Sequence, residues 1–159
     1  MKLKAMVLSL GVALFFGVYA PAVLAGNPDA CSLLSADQVG AALGIVVEVN
    51  QGGNQRTCLW QEAGKSSFAG KMVEIDIMGQ VGSLSPIERF NNAKQPVPGM
   101  TKPPLEGVGD DAYYIENPRF TSLNVRKGNL AFEVHIGGVA PEQRRPLLKS
   151  LAQLAVSKL

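Results

Sequence analysis

Residues 71–78, KMVEIDIM, set Val73, Ile75 and Ile77 in strict alternation with Glu74 and Asp76. Residues 129–136, NLAFEVHI, repeat the device with Leu130, Phe132, Val134 and Ile136 against Ala131, Glu133 and His135. Successive side chains of a strand point to opposite faces, so each segment has one face that demands burial and one that tolerates water. Strands of parallel sheets are buried on both faces and read as unbroken apolar runs. The two segments therefore call for an antiparallel sheet covered on one side, and the cover must come from helices elsewhere in the chain.

Those helices are legible. Ser35 is placed to cap a helix with Gln38 three residues on, Leu34 and Val39 stand in staple positions, and Gly44 ends it. A second start is written at Ser85, with Pro86 in the first helical position, Glu88 at the third, and Ile87, Phe90 and Ala93 as its buried stripe. A third helix is expected from about Glu142 to Lys158, with Leu147, Leu148, Leu151, Leu154 and Ala155 on one side; Pro146 lies within it, so the regular part is expected to begin there. Further strands are expected at Ile45–Asn50, Arg56–Gln61, Ala112–Glu116 and Arg119–Lys127. The first two form a hairpin through residues 51–55, and Gly128-Asn129 turns the chain into the strand over 129–136. The order is α-βββ-α-βββ-α, and the fold class is α+β: a mostly antiparallel sheet with helices packed on it. Two helix-plus-three-strand halves suggest a structural duplication.

The N-terminus bears on compartment. Residues 1–25 run from Lys2 and Lys4 through an apolar stretch, Ala5 to Ala20, to Val23 and Ala25 at −3 and −1 of a cut before Gly26. That pattern is a secretory signal peptide. The apolar run, about 16 residues, falls short of a membrane-spanning helix, and Pro21 closes it. Residues 26–159 then make a single domain. Cleavage removes Lys2 and Lys4 from the fifteen basic side chains, leaving thirteen basic and thirteen acidic. A balanced chain lacks the basic excess that binds nucleic acid or an anionic membrane surface.

In an exported protein Cys31 could be a lipid anchor, a reactive thiol or half of a disulfide. Asn27-Pro28-Asp29-Ala30 before it is no lipobox, and the single histidine, His135, is far off in sequence. Pairing with Cys58, the only other cysteine, is the favoured reading; closing the loop 31–58 is worth about 3–4 kcal/mol on the chain-entropy model. Trp60 shares a strand face with Cys58 and reads as core packing beside the disulfide, with ligand stacking as its alternative.

No reaction motif stands out. Gly107-Val108-Gly109-Asp110-Asp111-Ala112 fits G-x-G-x-x-A, but it follows a loop and enters a strand, where a dinucleotide fingerprint must open a helix. Glu133 and His135 share the wet face of one strand and could form an acid–base pair; with no second histidine, histidine-based zinc sites are excluded. Asp110, Asp111, Glu74 and Asp76 could supply oxygens to calcium, but the twelve-residue acidic loop is missing, and charges on solvated faces are the favoured reading of all of these, Glu133 and His135 included. No metal and no cofactor is assigned. No G-x-S-x-G elbow marks a nucleophilic serine.

ACSLLSADQVGAALG, then CLW, GVGDDAYY, LNVRKGNLAFEVHI and a terminal LAQLAVSKL resemble the secreted lipoproteins and receptor-kinase extracellular sensor domains of actinobacteria. Those proteins share a Cys-x-Leu-Leu helix, a Cys-x-aromatic strand and a Gly-Val-Gly-Asp turn. The likeness spans nearly all of the chain after the leader, through short structural motifs. It implies an α+β sandwich and a role in envelope sensing or ligand binding, in a family whose ligands are mostly unassigned. The chain departs from the pattern in having no lipobox and no attached kinase or transmembrane segment, which favours a soluble periplasmic or secreted accessory.

The leading expectation is a non-enzymatic binding or sensor-like module for a small molecule, envelope component or protein. The alternative is an immunity-type protein inhibitor acting through the loop 95–109; a hydrolase is a third reading. Residues 94–109 hold four prolines and three glycines, which suit an extended loop that either covers an exposed sheet edge or meets a partner. Pro96, Pro98, Pro103 and Pro104, with the nearby Tyr113 and Tyr114, are the expected partner-binding residues, the aromatic rings offering contact area at small entropic cost. Export is testable directly: protein recovered from the envelope of its producing cell should have the mass of a chain beginning at Gly26, and a mass retaining residues 1–25 would overturn the leader reading.

Overall fold

The computed structural model describes residues 28–51, 53–66 and 69–159; the expected leader, residues 1–25, and the cut before Gly26 lie outside the described residues. Among them, a 3-10 turn at Ala30–Ser32 precedes helix α1 (Ala36–Leu43) and strands β1 (Val47–Gln51), β2 (Thr57–Glu62) and β3 (Met72–Ile77). Helix α2 (Pro86–Ala93), strands β4 (Asp111–Glu116), β5 (Thr121–Lys127) and β6 (Leu130–Gly137), and helix α3 (Pro141–Val156) follow. The element order is the expected α-βββ-α-βββ-α, and the class is α+β.

The strands form one sheet in the order β1-β2-β3-β6-β5-β4, antiparallel throughout. Each half is a meander, and the two meet where β3 pairs β6, with Val73 opposite Ile136, Ile75 opposite Val134 and Ile77 opposite Phe132. Those six side chains share a face with Cys58, Trp60, Leu123 and Val125, and all are buried. Each fully buried side chain of this size stabilises the fold by about 1.5–3 kcal/mol.

Helices α1 and α3 cover that face. Val39 and Leu43 of α1 and Leu148, Leu151, Ala152 and Ala155 of α3 complete the main core. Helix α2 lies on the other face, where Phe90 forms a smaller cluster with Met78, Tyr113 and Ala131. A perfect duplication would put α1 and α2 on the same face, since a two-fold axis normal to the sheet between β3 and β6 preserves faces. The place α2 would take is filled by α3, which packs on β5 and β6.

The local signals act as the residues dictate. Ser35 and Gln38 form a capping box, as do Ser85 and Glu88, and Gly44 closes α1 in the left-handed region at φ 67°. Helix α3 begins earlier than expected. It starts at Pro141 in the first turn and runs on through Pro146. Pro146 removes only the bond to the Glu142 carbonyl, one turn from the helix start and on an exposed residue, so water can serve it instead.

Cys31 and Cys58 are joined in a disulfide, with Cα atoms 5.1 Å apart. The segment before α1 is also tied to the first hairpin: the Ala30 amide donates to the Gln55 carbonyl at 2.8 Å, and the Gln51 side chain donates to the Asp29 carboxylate at 2.9 Å. Trp60 is 1% exposed, a core residue beside the disulfide. No described helix is long and apolar enough to cross a membrane.

The G-x-G-x-x-A segment is a turn into β4. Gly109 has φ 60°, and a Cβ there would stand 2.5 Å from the Arg126 carbonyl oxygen. The Asp110 amide donates to that oxygen at 2.8 Å, and the Asp110 carboxylate accepts from the Gly128 amide at 2.7 Å and from Lys127 at 3.0 Å. These bonds hold the Asp110 carboxyl below the usual carboxylate range, the Gly128 amide contributing most. Gly109→Ala combines a disfavoured backbone with a backbone collision; denaturant unfolding should show a loss well above about 1 kcal/mol, and an unchanged midpoint would refute this role.

Candidate functional site

The proline-rich segment runs beside β4 as an irregular outer edge. Thr101 bridges Glu116 and Pro104 bridges Tyr113; the Tyr114 amide donates to the Pro103 carbonyl and the Leu105 amide to the Ala112 carbonyl, each at 2.9 Å. Lys102 fastens it further, donating to the carbonyls of Ala93 and Gln95. The segment covers a sheet edge that would otherwise offer unpaired amides. Pro96, Pro98 and Pro104 are exposed on its outside and Pro103 is half-buried.

Tyr113 and Tyr114 are placed differently from the expected contact surface. They are successive strand residues, so they point to opposite faces, and both are buried, at 1% and 5% exposure. The Tyr113 hydroxyl donates to the Phe90 carbonyl at 3.0 Å, and its ring meets the Phe90 ring edge-on. Burial, then Glu133 and Asp111, push its phenol well above the ordinary range. The Tyr114 hydroxyl donates to the Arg145 carbonyl at 3.3 Å, under a guanidinium that also grips Glu116. Both rings anchor helices to β4, so a partner arriving on this side meets the loop and not the tyrosines.

Between α1 and α3 an open groove of about 520 Å³ is lined by Leu43, Lys71, Val139, Glu142, Pro146 and Leu147, among others. The Lys71 ammonium in its wall donates to the Leu43 carbonyl at 2.7 Å, completing the end of α1.

A different region departs from what folding alone would select. On the sheet face opposite the main core, the register lays two adjacent polar rows across β3, β6 and β5. Asp76, Glu133 and Asn124 form one row; Glu74, His135 and Ser122 form the next. Tyr113 and Ile115 on β4 border these rows on one side, Thr57 and Leu59 on β2 on the other. Helix α2 stands over part of this face, packing on β5 and β6. Ser122 and Asn124 are 0% and 1% exposed, and the Ser122 hydroxyl and both polar atoms of the Asn124 amide have no hydrogen-bond partner among the described residues. A buried polar group left unpartnered costs about 1–3 kcal/mol.

The carboxylates beside them are also unusually placed. Among the described residues, no ion pair reaches Glu74, Asp76 or Glu133; Asp76 accepts one hydrogen bond, from Thr57 at 3.0 Å. Arg126, further along the same face of β5, is drawn to Asp110 at 3.9 Å. Burial raises the Glu74 carboxyl above its ordinary value; His135 draws it down, and the like charges of Asp76 and Glu133 add to the rise. The Phe120 ring lies 6.1 Å from the His135 ring, centre to centre.

Glu133 and His135, singled out from the sequence, thus sit at the middle of the patch, with Glu74 and Asp76 beside them. The calcium grouping does not assemble: Asp110 is bound to the β5–β6 turn and Asp111 pairs with Lys94. No three acidic, histidine or cysteine side chains among the described residues are grouped to hold a metal ion. Glu74, His135 and Ser122 align as acid, imidazole and hydroxyl, yet the Ser122 hydroxyl lacks the bond to a base that activates a nucleophile. Ser122 and Asn124 escaped sequence reading because their alternation with Leu123 and Val125 looks like an ordinary wet face.

Comparison with protein-family models, with curated proteins and with solved structures finds no match to this chain.

Replacing the orphaned groups should stabilise the protein. Asn124→Leu and Ser122→Ala are each expected to raise unfolding free energy by up to about 1–3 kcal/mol, measured by denaturant titration, and a loss of stability would show that these groups hold the fold together. Because the Glu74 pKa is raised on folding, its ionisation opposes the fold: stability falls as pH rises through the raised value. Glu74→Gln should therefore gain stability at neutral pH, and the gain should vanish in acid.

Proposed function

We propose that this protein is a non-enzymatic binding module of the periplasm or extracellular space, and that its ligand seats on the polar sheet face over β3, β6 and β5. The observation that carries the reading is the pair of buried, unpartnered side chains, Ser122 and Asn124. Departures from full polar satisfaction at the expense of stability concentrate at functional sites, where a ligand can complete the hydrogen bonds. The disulfide suits an oxidising compartment, in line with the leader at residues 1–25. The resemblance to secreted lipoproteins and sensor ectodomains supports the same role.

A second reading, a protein inhibitor, draws on the loop. Val97 and Met100 are 42% and 37% exposed at its outer side, between and beside exposed prolines, and a fastened loop loses little entropy on docking.

Native mass spectrometry of protein released from the producing cell's envelope separates these. A small-molecule mass increment on the wild type that disappears in the Ser122→Ala, Asn124→Leu double variant is the expected result. Recovery of an apoprotein in both forms would overturn the sheet-face reading. A protein-sized increment lost when residues 96–104 become a Gly/Ser linker of equal length would establish the inhibitor instead.

A further inference from the structure

Resting on that sheet-face reading, we propose that the ligand is a small organic ammonium compound that also carries a neutral hydrogen-bonding group such as an amide or hydroxyl. Glu74, Asp76 and Glu133 would take the ammonium, and Ser122 and Asn124 the neutral group. Three carboxylates gather on the central strands with no cationic side chain among the described residues paired to them, while His135 is the one basic group in the two rows. Such a grouping attracts positive charge. The neighbouring Ser122 and Asn124 side chains are buried and unpartnered. They offer a hydroxyl and an amide, each able to donate and to accept. A ligand with cationic and neutral polar ends fits both observations at once.

The spacing selects an organic ion over a metal. Strands in a sheet lie about 5 Å apart and same-face residues along a strand about 7 Å apart, so the carboxylates are spread over a patch, whereas a metal ion needs its oxygens within about 2.0–2.6 Å of one point. The described residues indeed contain no grouping of three suited to a metal. From Asp76 on β3 across β6 to Asn124 on β5 is two strand spacings, about 10 Å, which a chain of a few methylenes between ammonium and amide can span. Glu133 and His135, the cross-strand partners of Asn124 and Ser122, are half-exposed, while Ser122 and Asn124 are closed to solvent, so the side chains over them must shift for the ligand to reach the two floor groups. The ammonium can come from a free amine or from the side chain of a short peptide.

The test is amide chemical-shift titration of the disulfide-bonded chain with N-acetylputrescine, which carries one ammonium and one amide, and with a lysine dipeptide amide as the peptide arm. The control is 4-acetamidobutyrate, which has the same amide and opposite charge. Shifts confined to β3, β5 and β6 are expected for one or both cationic probes and none for the anion. The Glu74→Gln, Glu133→Gln variant should weaken cation binding by about tenfold or more. Those substitutions remove like charges from a crowded face and keep side-chain shape, so the fold, checked by circular dichroism, is expected to survive. Raising the salt concentration should weaken binding in the wild type and have less effect in the variant.

Equal binding of the anionic control, unchanged affinity in the double glutamine variant, or no shift with either cation at millimolar concentration would each overturn the ammonium assignment. A neutral or anionic small molecule retained in native mass spectrometry and lost on Ser122→Ala, Asn124→Leu would do the same while leaving the binding module intact. Apoprotein in native mass spectrometry together with silent titrations would overturn both.

Discussion

Pairing of β3 with β6 joins two meanders that otherwise share no strand, and nearly everything else in the molecule follows from it. The contact is long-range: Ile75 meets Val134, and α2, β4 and β5 intervene in sequence. It sets the apolar side chains of the two strongest alternating segments side by side at the middle of the core. It also puts Glu74 and Asp76 next to His135 and Glu133 on the reverse face. A slip of one residue would turn every one of these side chains over, so burial of the apolar face locks the register that assembles the polar one. Non-local pairing of this kind forms only after the loop entropy has been overcome, so local hairpins are expected to precede it in folding.

The two halves are finished by different means. In the first, the disulfide and the hydrogen bonds of Asp29 and Ala30 fasten the chain to β1 and β2 before α1 begins. In the second, α3 supplies a broad apolar stripe, and α2 moves to the opposite face with one fully buried side chain, Phe90. That asymmetry shapes the polar face: α2 stands over part of it, on β5 and β6, and leaves the rest of the face open. Tyr113 fixes the helix in place through the Phe90 carbonyl. Its partner Tyr114 does the matching task for α3 on the other side.

On the two polar rows stability and the proposed binding role pull in opposite directions. Apolar residues at positions 122 and 124 would complete a cluster with Phe90, Tyr113 and Ala131, and the sheet would be better packed for it. The chain instead keeps a hydroxyl and an amide without partners among the described residues, beside a Glu74 whose ionisation is made costlier by burial and by the like charges of Asp76 and Glu133. Elsewhere its polar groups are matched with care, as at Asp110, Glu116 and the two capping boxes. The contrast between a well-satisfied periphery and an unsatisfied centre is the ground on which the face is proposed as a site.

The sequence by itself determined the elements and the class. Alternation in residues 71–78 and 129–136 marks an antiparallel sheet with one fully apolar face, and Ser35 with Gln38, Ser85 with Glu88, and Gly44 mark helix ends through bonds made within a few residues. Signals of that range are complete in the chain itself. Glu133 and His135 were also visible as neighbours on one strand. Tertiary structure alone decided that β3 meets β6, that α2 and α1 take opposite faces, that the proline segment lies along β4, and that Pro146 is carried inside a helix. It also decided that Tyr113 and Tyr114 are anchors and that Ser122 and Asn124 are buried. Each of these depends on what lies across the sheet or above it. A strand's own residues say which side faces which way, and only its neighbours determine whether that side is wet.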